Sequence, residues 1–130
     1  MKNLFLLLII LLLLSCQPKK QPEDIKSVTI EAISFQTETM FNIACDKFDT
    51  YYKDKWKSKT ITDKATIDKF SNLLLGLKRT NDNYTPNVRV KLLLADSKGI
   101  VDTVCMDDKI TRYKGGSYET TVEFGNFVQE

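Results

Sequence analysis

Residues 88–106 read VRVKLLLADSKGIVDTVCM, and the fold turns on this stretch. Val88, Val90, Leu92 and Leu94 share one phase of a two-residue period, while Arg89, Lys91 and Leu93 take the other. That alternation describes a strand with one buried face. Asp96-Ser97-Lys98-Gly99 places Asp first and Gly fourth, as a type I turn requires. Ile100–Met106 then returns as an antiparallel partner. A lone hairpin is marginal in water, so another element has to cover its apolar face.

The cover lies upstream. Ile67, Phe70, Leu74 and Leu77 recur at helical spacing with Leu73 beside them, and Asp63 stands where an N-cap belongs. The spacing predicts a helix over 64–78, with Lys78 and Arg79 in its last turn, where the helix dipole favours cations. Upstream again, the alternation of Val28, Ile30 and Ala32 predicts a strand over 25–36 with a bulge near Ala32. Phe41, Ala44, Cys45, Phe48 and Tyr52 fit one face of a short helix within 37–52, although Phe41, Ile43 and Cys45 also fit a strand. Lys53–Ile61 alternates as a strand. Downstream, Ile110–Tyr113 and Tyr118–Glu123 are strands around a primed turn at Gly115-Gly116, and Phe124, Phe127 and Val128 belong to a final short helix. The expected fold is α+β: one antiparallel sheet of about four to six strands, with the main helix packed on one face and short flanking helices.

The chain has 130 residues, 42% of them apolar, and 19 Lys and Arg against 17 Asp and Glu. A balance this close to neutral excludes nucleic-acid binding through bulk electrostatics. There is no histidine. Ser-His-Asp and Cys-His catalysis and every His-ligated metal site are thereby excluded. No metal or other cofactor is expected.

The N-terminus is the most specific signal. Lys2 precedes an unbroken apolar run from Leu4 to Leu14. As a helix the run spans roughly 17 Å, against about 30 Å of hydrocarbon, which suits a secretion signal and not a membrane span. It ends Leu13-Leu14-Ser15-Cys16, which resembles the lipobox of bacterial lipoproteins. The resemblance implies cleavage after Ser15 and acylation of Cys16, with two or three acyl chains giving a stable anchor. Residues 1–15 are then a cleaved signal peptide, 16–24 a lipid-anchored tether and 25–130 a single domain. Gln17 after the cysteine points to the outer membrane. The partial match of Lys19-Lys20 and Glu23-Asp24 to the export cluster of some Bacteroidota lipoproteins leaves the periplasmic and surface faces both open. The tether, with Pro18 and Pro22 and no apolar residue, reaches about 25–30 Å when stretched.

Four features of the domain bear on function. Cys45 and Cys105 remain as a pair in an oxidising compartment, either bonded across a loop of about 60 residues or buried as free thiols. Lys53, Lys55, Lys57 and Lys59 alternate beside Trp56. They form either a surface for an acidic partner or the guard of an edge strand against aggregation. Asp107-Asp108 and Asn81-Asp82-Asn83 lack calcium-loop spacing and read as turns. Asp102-Thr103-Val104 resembles the O-glycosylation motif of exported Bacteroidota proteins, with Thr103 as acceptor.

A lipobox, a tether and a small α+β domain together resemble the organisation of small Bacteroidota lipoproteins. The expectation is a non-catalytic, envelope-anchored module that binds another protein and touches the membrane through its anchor. The alternatives are an immunity protein neutralising a toxin delivered to the periplasm and, behind it, a small-ligand carrier or enzyme.

Overall fold

The computed structural model describes residues 24–130; the expected signal peptide, Cys16 and most of the expected tether lie outside the described residues. Six strands form one antiparallel sheet: β1 Ser27–Ala32, β2 Lys57–Ile61, β3 Val90–Asp96, β4 Gly99–Met106, β5 Ile110–Tyr113 and β6 Gly116–Glu119. Their order is β2-β1-β3-β4-β5-β6. A single-residue bridge from Arg79 to Tyr118 adds a seventh strand beyond β6, one more than the sequence led us to expect. Three helices accompany the sheet: α1 Phe48–Tyr51, α2 Lys64–Leu75 and α3 Val122–Gln129.

The hairpin at 88–106 explains the rest. Val90, Leu92 and Leu94 of β3 lie opposite Met106, Val104 and Asp102 of β4, and opposite Ala32, Ile30 and Val28 of β1. Paired residues share a face, so these side chains, Asp102 apart, form one apolar sheet surface. Ile67, Phe70 and Leu74 of α2 and Phe124 and Val128 of α3 close over it as the main core. Phe70 stacks obliquely on Phe124 at 5.9 Å. Phe70 and Leu74 share this core with Val90 and Leu92.

Both helices are capped by side chains that satisfy the first-turn N–H groups. Asp63 accepts from Thr66 N at 3.0 Å, and Thr121 accepts from Phe124 N at 3.1 Å. Helix α2 stops at Leu75, three residues short of the predicted end. Gly76 caps it, and residues 78–80 turn away to pair with β6 through Glu119 N to Lys78 O and Thr80 N to Ser117 O. Lys78 and Arg79 therefore lie past the helix. Their backbone found a sheet partner that helical periodicity cannot foresee.

The segment between β1 and β2 departs furthest from expectation. β1 ends at Ala32, not at 36, and the chain leaves the sheet through a turn at Ser34–Thr37. The expected helix is reduced to a 3-10 turn at Cys45–Lys47 followed by α1. Ile43 runs extended instead, its carbonyl accepting from Val88 N at 2.9 Å. A second, smaller core results, made of Ile43, Phe48, Tyr52, Val88 and Cys105, with Ile33, Cys45 and Trp56 at its margin. Val88 belongs here and not with Val90. The disulfide Cys45–Cys105 pins this layer to β4, on the sheet face opposite α2 and α3.

Two hairpin turns show local chemistry at work. Ser97 and Lys98 join β3 to β4, with Lys98 N donating to Asp96 Oδ1 at 2.7 Å. The β5–β6 turn centres on Lys114 and Gly115, both at positive φ (47° and 73°), as a type I′ turn needs. Gly116 opens β6 opposite Tyr113, so the turn sits one residue earlier than predicted.

Candidate functional site

Lys53, Lys55, Trp56, Lys57 and Lys59 do not share one strand face. Lys55 N donates to Tyr52 O at 2.8 Å, and Asp54 adopts φ 63°, so residues 52–56 are turns and only Lys57 and Lys59 stand on β2. Asp is among the few residues that tolerate that left-handed conformation, and one such residue ends an alternation that looked continuous. Trp56 turns inward, 5.8 Å from Phe48. Lys53 is exposed in the turn.

Lys57 and Lys59 lie opposite Ala32 and Ile30, on the helix-covered face but beyond the reach of the helices. Between these lysines and the C-terminal end of α3 runs a half-open groove of about 710 Å³. Ile30, Ala32 and Val128 give it an apolar floor, and Lys55, Lys57 and Lys59 form one wall. Glu38 and Glu130 stand elsewhere on its rim. None of the three lysines forms an ion pair with a described residue. Lys59 does help its neighbour Asp63, whose carboxyl is held below the ordinary range chiefly by its hydrogen bonds from Thr66.

The loop Ser34–Phe41 forms the mouth of the groove, and a buried arginine holds it. Arg89 is 5% exposed. It donates from Nε to Thr37 O at 3.0 Å, from Nη2 to Thr39 Oγ1 at 3.0 Å and from Nη1 to Asn87 Oδ1 at 2.9 Å. Its guanidinium lies 6.0 Å from the centre of the Tyr52 ring, within cation–π range. Asn87 Oδ1 also accepts from Ile43 N at 2.7 Å, and Asn87 N donates to Asp107 Oδ2. At the other side of the mouth, Gln129 bridges α3 to the loop, accepting from Phe35 N and donating to Ile33 O.

This hydrogen-bonded frame exposes an apolar knuckle. Met40 is 98% exposed, Phe41 61% and Tyr51 39%. Phe41 meets Tyr51 edge-on at 5.5 Å, and Tyr51 meets Tyr52 at 4.9 Å. Tyr51 and Tyr52 both line the groove, so knuckle and groove are one continuous surface. Tyr52 is 3% exposed, and its hydroxyl is buried without a hydrogen-bond partner. Burial pushes its pKa upward, so the phenol stays a donor at neutral pH.

The other sequence candidates fall into structural roles. Asp107 Oδ1 accepts from Lys109 N and Ile110 N, and Asn81 Oδ1 accepts from Asn83 N. Asp82 pairs with Arg79 at 2.9 Å and accepts from Ser117 N. These oxygens are spent on turns, and no group of His, Cys, Asp or Glu able to hold a metal occurs among the described residues. Thr103 is half-buried within β4, opposite Leu93. No helix among the described residues is long and apolar enough to cross a membrane. Comparison with protein-family models, characterised proteins and solved structures finds no match to this chain.

Sequence reasoning missed the knuckle and the arginine that supports it. Local periodicity places Phe41 on a helix face or in a strand, and Arg89 on the strand phase shared with Lys91 and Leu93. Nothing in their local sequence marks one as exposed or the other as buried.

Proposed function

We propose that this protein is a lipid-anchored cell-envelope module that binds another protein, through the Met40–Phe41–Tyr51 knuckle and the adjoining lysine groove. The carrying observation is that Met40 and Phe41 stand exposed on a loop held by Arg89 and Gln129, with Phe41 edge-on against the exposed Tyr51 of α1. Contiguous exposed apolar surface with a polar rim marks an interaction site, and aromatic residues and Met are the types enriched at such cores. A frame already held by hydrogen bonds lowers the ordering cost of binding.

β1 runs about 17 Å from Ser27 to Ala32, and the groove lies around its Ile30–Ala32 end rather than at Ser27. Anchoring itself rests on the Leu13–Cys16 lipobox, with the outer membrane as destination. Metabolic palmitate labelling tests it: Cys16→Ser should abolish the label, and equal labelling of mutant and wild type would refute the anchor.

The module reading is tested by replacing Phe41 with a photo-crosslinking phenylalanine analogue in the full chain within its native envelope. A discrete crosslinked protein band is expected, lost when Met40 and Tyr51 are also changed to Ser. Crosslinking to lipid alone, or a band indifferent to those changes, would refute the reading.

A further inference from the structure

The two edges of the sheet are not equally open. Beyond β6, residues 78–80 cover the outer side with two backbone hydrogen bonds and the Arg79–Tyr118 bridge. Beyond β2, no described residue pairs. An edge strand turns alternate N–H and C=O groups outward, ready for a further strand. β2 is exposed on both faces until Ile61, so no described residue shields those groups.

The side chains of β2 then select the partner. Lys57 and Lys59 project from one face, and Ser58 and Thr60 from the other. A strand laid along this edge sets alternate side chains beside the two lysines. Opposite charges across strands attract, and like charges repel. A second copy of β2 would bring lysines against lysines and is disfavoured; a strand with carboxylates at positions i and i+2 is favoured. The same pair of charges thus rejects self-pairing and admits one class of partner. The edge borders the groove and knuckle, so an occupant of one meets the other.

We propose that β2 is the docking edge for an extended acidic segment of a partner protein, added as a further strand with alternate carboxylates beside Lys57 and Lys59. The proposal rests on the binding-module reading above and names the partner's chemistry. Affinity comes from the main-chain ladder, and specificity from the charges. The acidic segment also explains why three lysines stand here without ion pairs, and β2 carries no acid of its own.

The test uses the full chain in detergent and a fluorescein-labelled peptide, Thr-Glu-Val-Glu-Thr-Glu-Val, followed by anisotropy. Four further probes accompany it: a version with Lys for Glu, two versions N-methylated on alternate residues, and vesicles containing phosphatidylglycerol. Binding of the Glu peptide is expected, with no binding of the Lys peptide. The Lys57→Gln/Lys59→Gln variant, with an unchanged circular dichroism spectrum, should bind about fivefold more weakly at low salt. One N-methyl series should lose more than tenfold and the other little, because only alternate amides face β2.

Equal loss in both N-methyl series, or in neither, would mean charge attraction without strand addition and overturns the proposal. So would binding to the vesicles but not to the Glu peptide. If the peptide does not bind and the double variant self-associates as its concentration rises, β2 is only a guarded edge, and the proposal falls. A Phe41 crosslink retained in that case would leave the module reading standing. A bound Glu peptide with no Phe41 crosslink would instead support strand addition and remove the knuckle.

Discussion

Removing the disulfide is the sharpest test of how the second core layer is held. Cys45 and Cys105 lie 60 residues apart in sequence. The loop-entropy relation for that separation gives about 14 cal/mol/K, or about 4 kcal/mol at 25 °C, contributed by restricting the unfolded chain. Domains of this size have a total stability of about 5–15 kcal/mol. Cys45→Ala/Cys105→Ala should therefore remain folded but marginal, with a Tm lower by about 15 °C. Alanine is the right replacement because Cys105 is buried and serine would add an unpaired hydroxyl there. Urea unfolding is followed by the emission of Trp56, the single tryptophan, which packs 5.8 Å from Phe48 in the layer concerned. The midpoint should fall and the m-value rise, because the uncrosslinked unfolded chain expands further. Wild type under reductant should follow the same curve. Hydrogen exchange gives the decisive contrast. An effect on the unfolded state lowers protection of β3 and β4 along with that of residues 43–56. A loss below 1 kcal/mol with unchanged m, or one confined to 43–56, would refute the loop-entropy reasoning.

Three further outcomes follow from particular contacts. Phe70→Ala empties the centre of the main core, where Phe70 is fully buried against Phe124, and should cost about 3–5 kcal/mol by calorimetry; a Tm within a degree of wild type would contradict the packing. Arg89→Met keeps the volume but removes the donors to Thr37 O, Thr39 Oγ1 and Asn87 Oδ1. About 2–4 kcal/mol should be lost, with faster amide exchange in residues 37–43; unchanged exchange there would show that the loop does not depend on Arg89. Glu31 has its pKa raised by burial and by Asp49, against the opposing charge of Lys91, and one of its carboxylate oxygens lacks a hydrogen bond. Its ionised form is penalised in the folded state, so this group's contribution improves as pH falls through the raised value towards 4.5. Glu31→Gln should accordingly be more stable than wild type at pH 7 by urea denaturation, with the difference shrinking over that window; a less stable variant at pH 7 would reverse the sign.

Where one physical signal dominated, the sequence was a good guide. The two-residue period of 90–94 and the helical period of 67–77 identified the central strand, the main helix and their shared core, because burial of one face imposes a period on the side chains. The N-cap at Asp63 was equally plain, since the first-turn N–H groups need an acceptor. The segment 33–56 was not legible in the same way. Its apolar residues fit two periods at once, and long-range partners decided between them. Val88 N took the carbonyl of Ile43, Arg89 took Thr37 and Thr39, and Cys105 took Cys45.

By itself, then, the sequence determined the α+β class, the sheet face that packs against the main helix and the lack of any histidine. Each follows from local pattern or composition. The tertiary structure alone decided that Lys53 and Lys55 leave the strand while Lys57 and Lys59 stay on it, and that residues 78–80 close one sheet edge while β2 stays open. It also decided that Met40 and Phe41 stand in solvent above a buried arginine. These outcomes depend on which distant backbone and side-chain groups satisfy one another, and sequence period carries no record of such pairings.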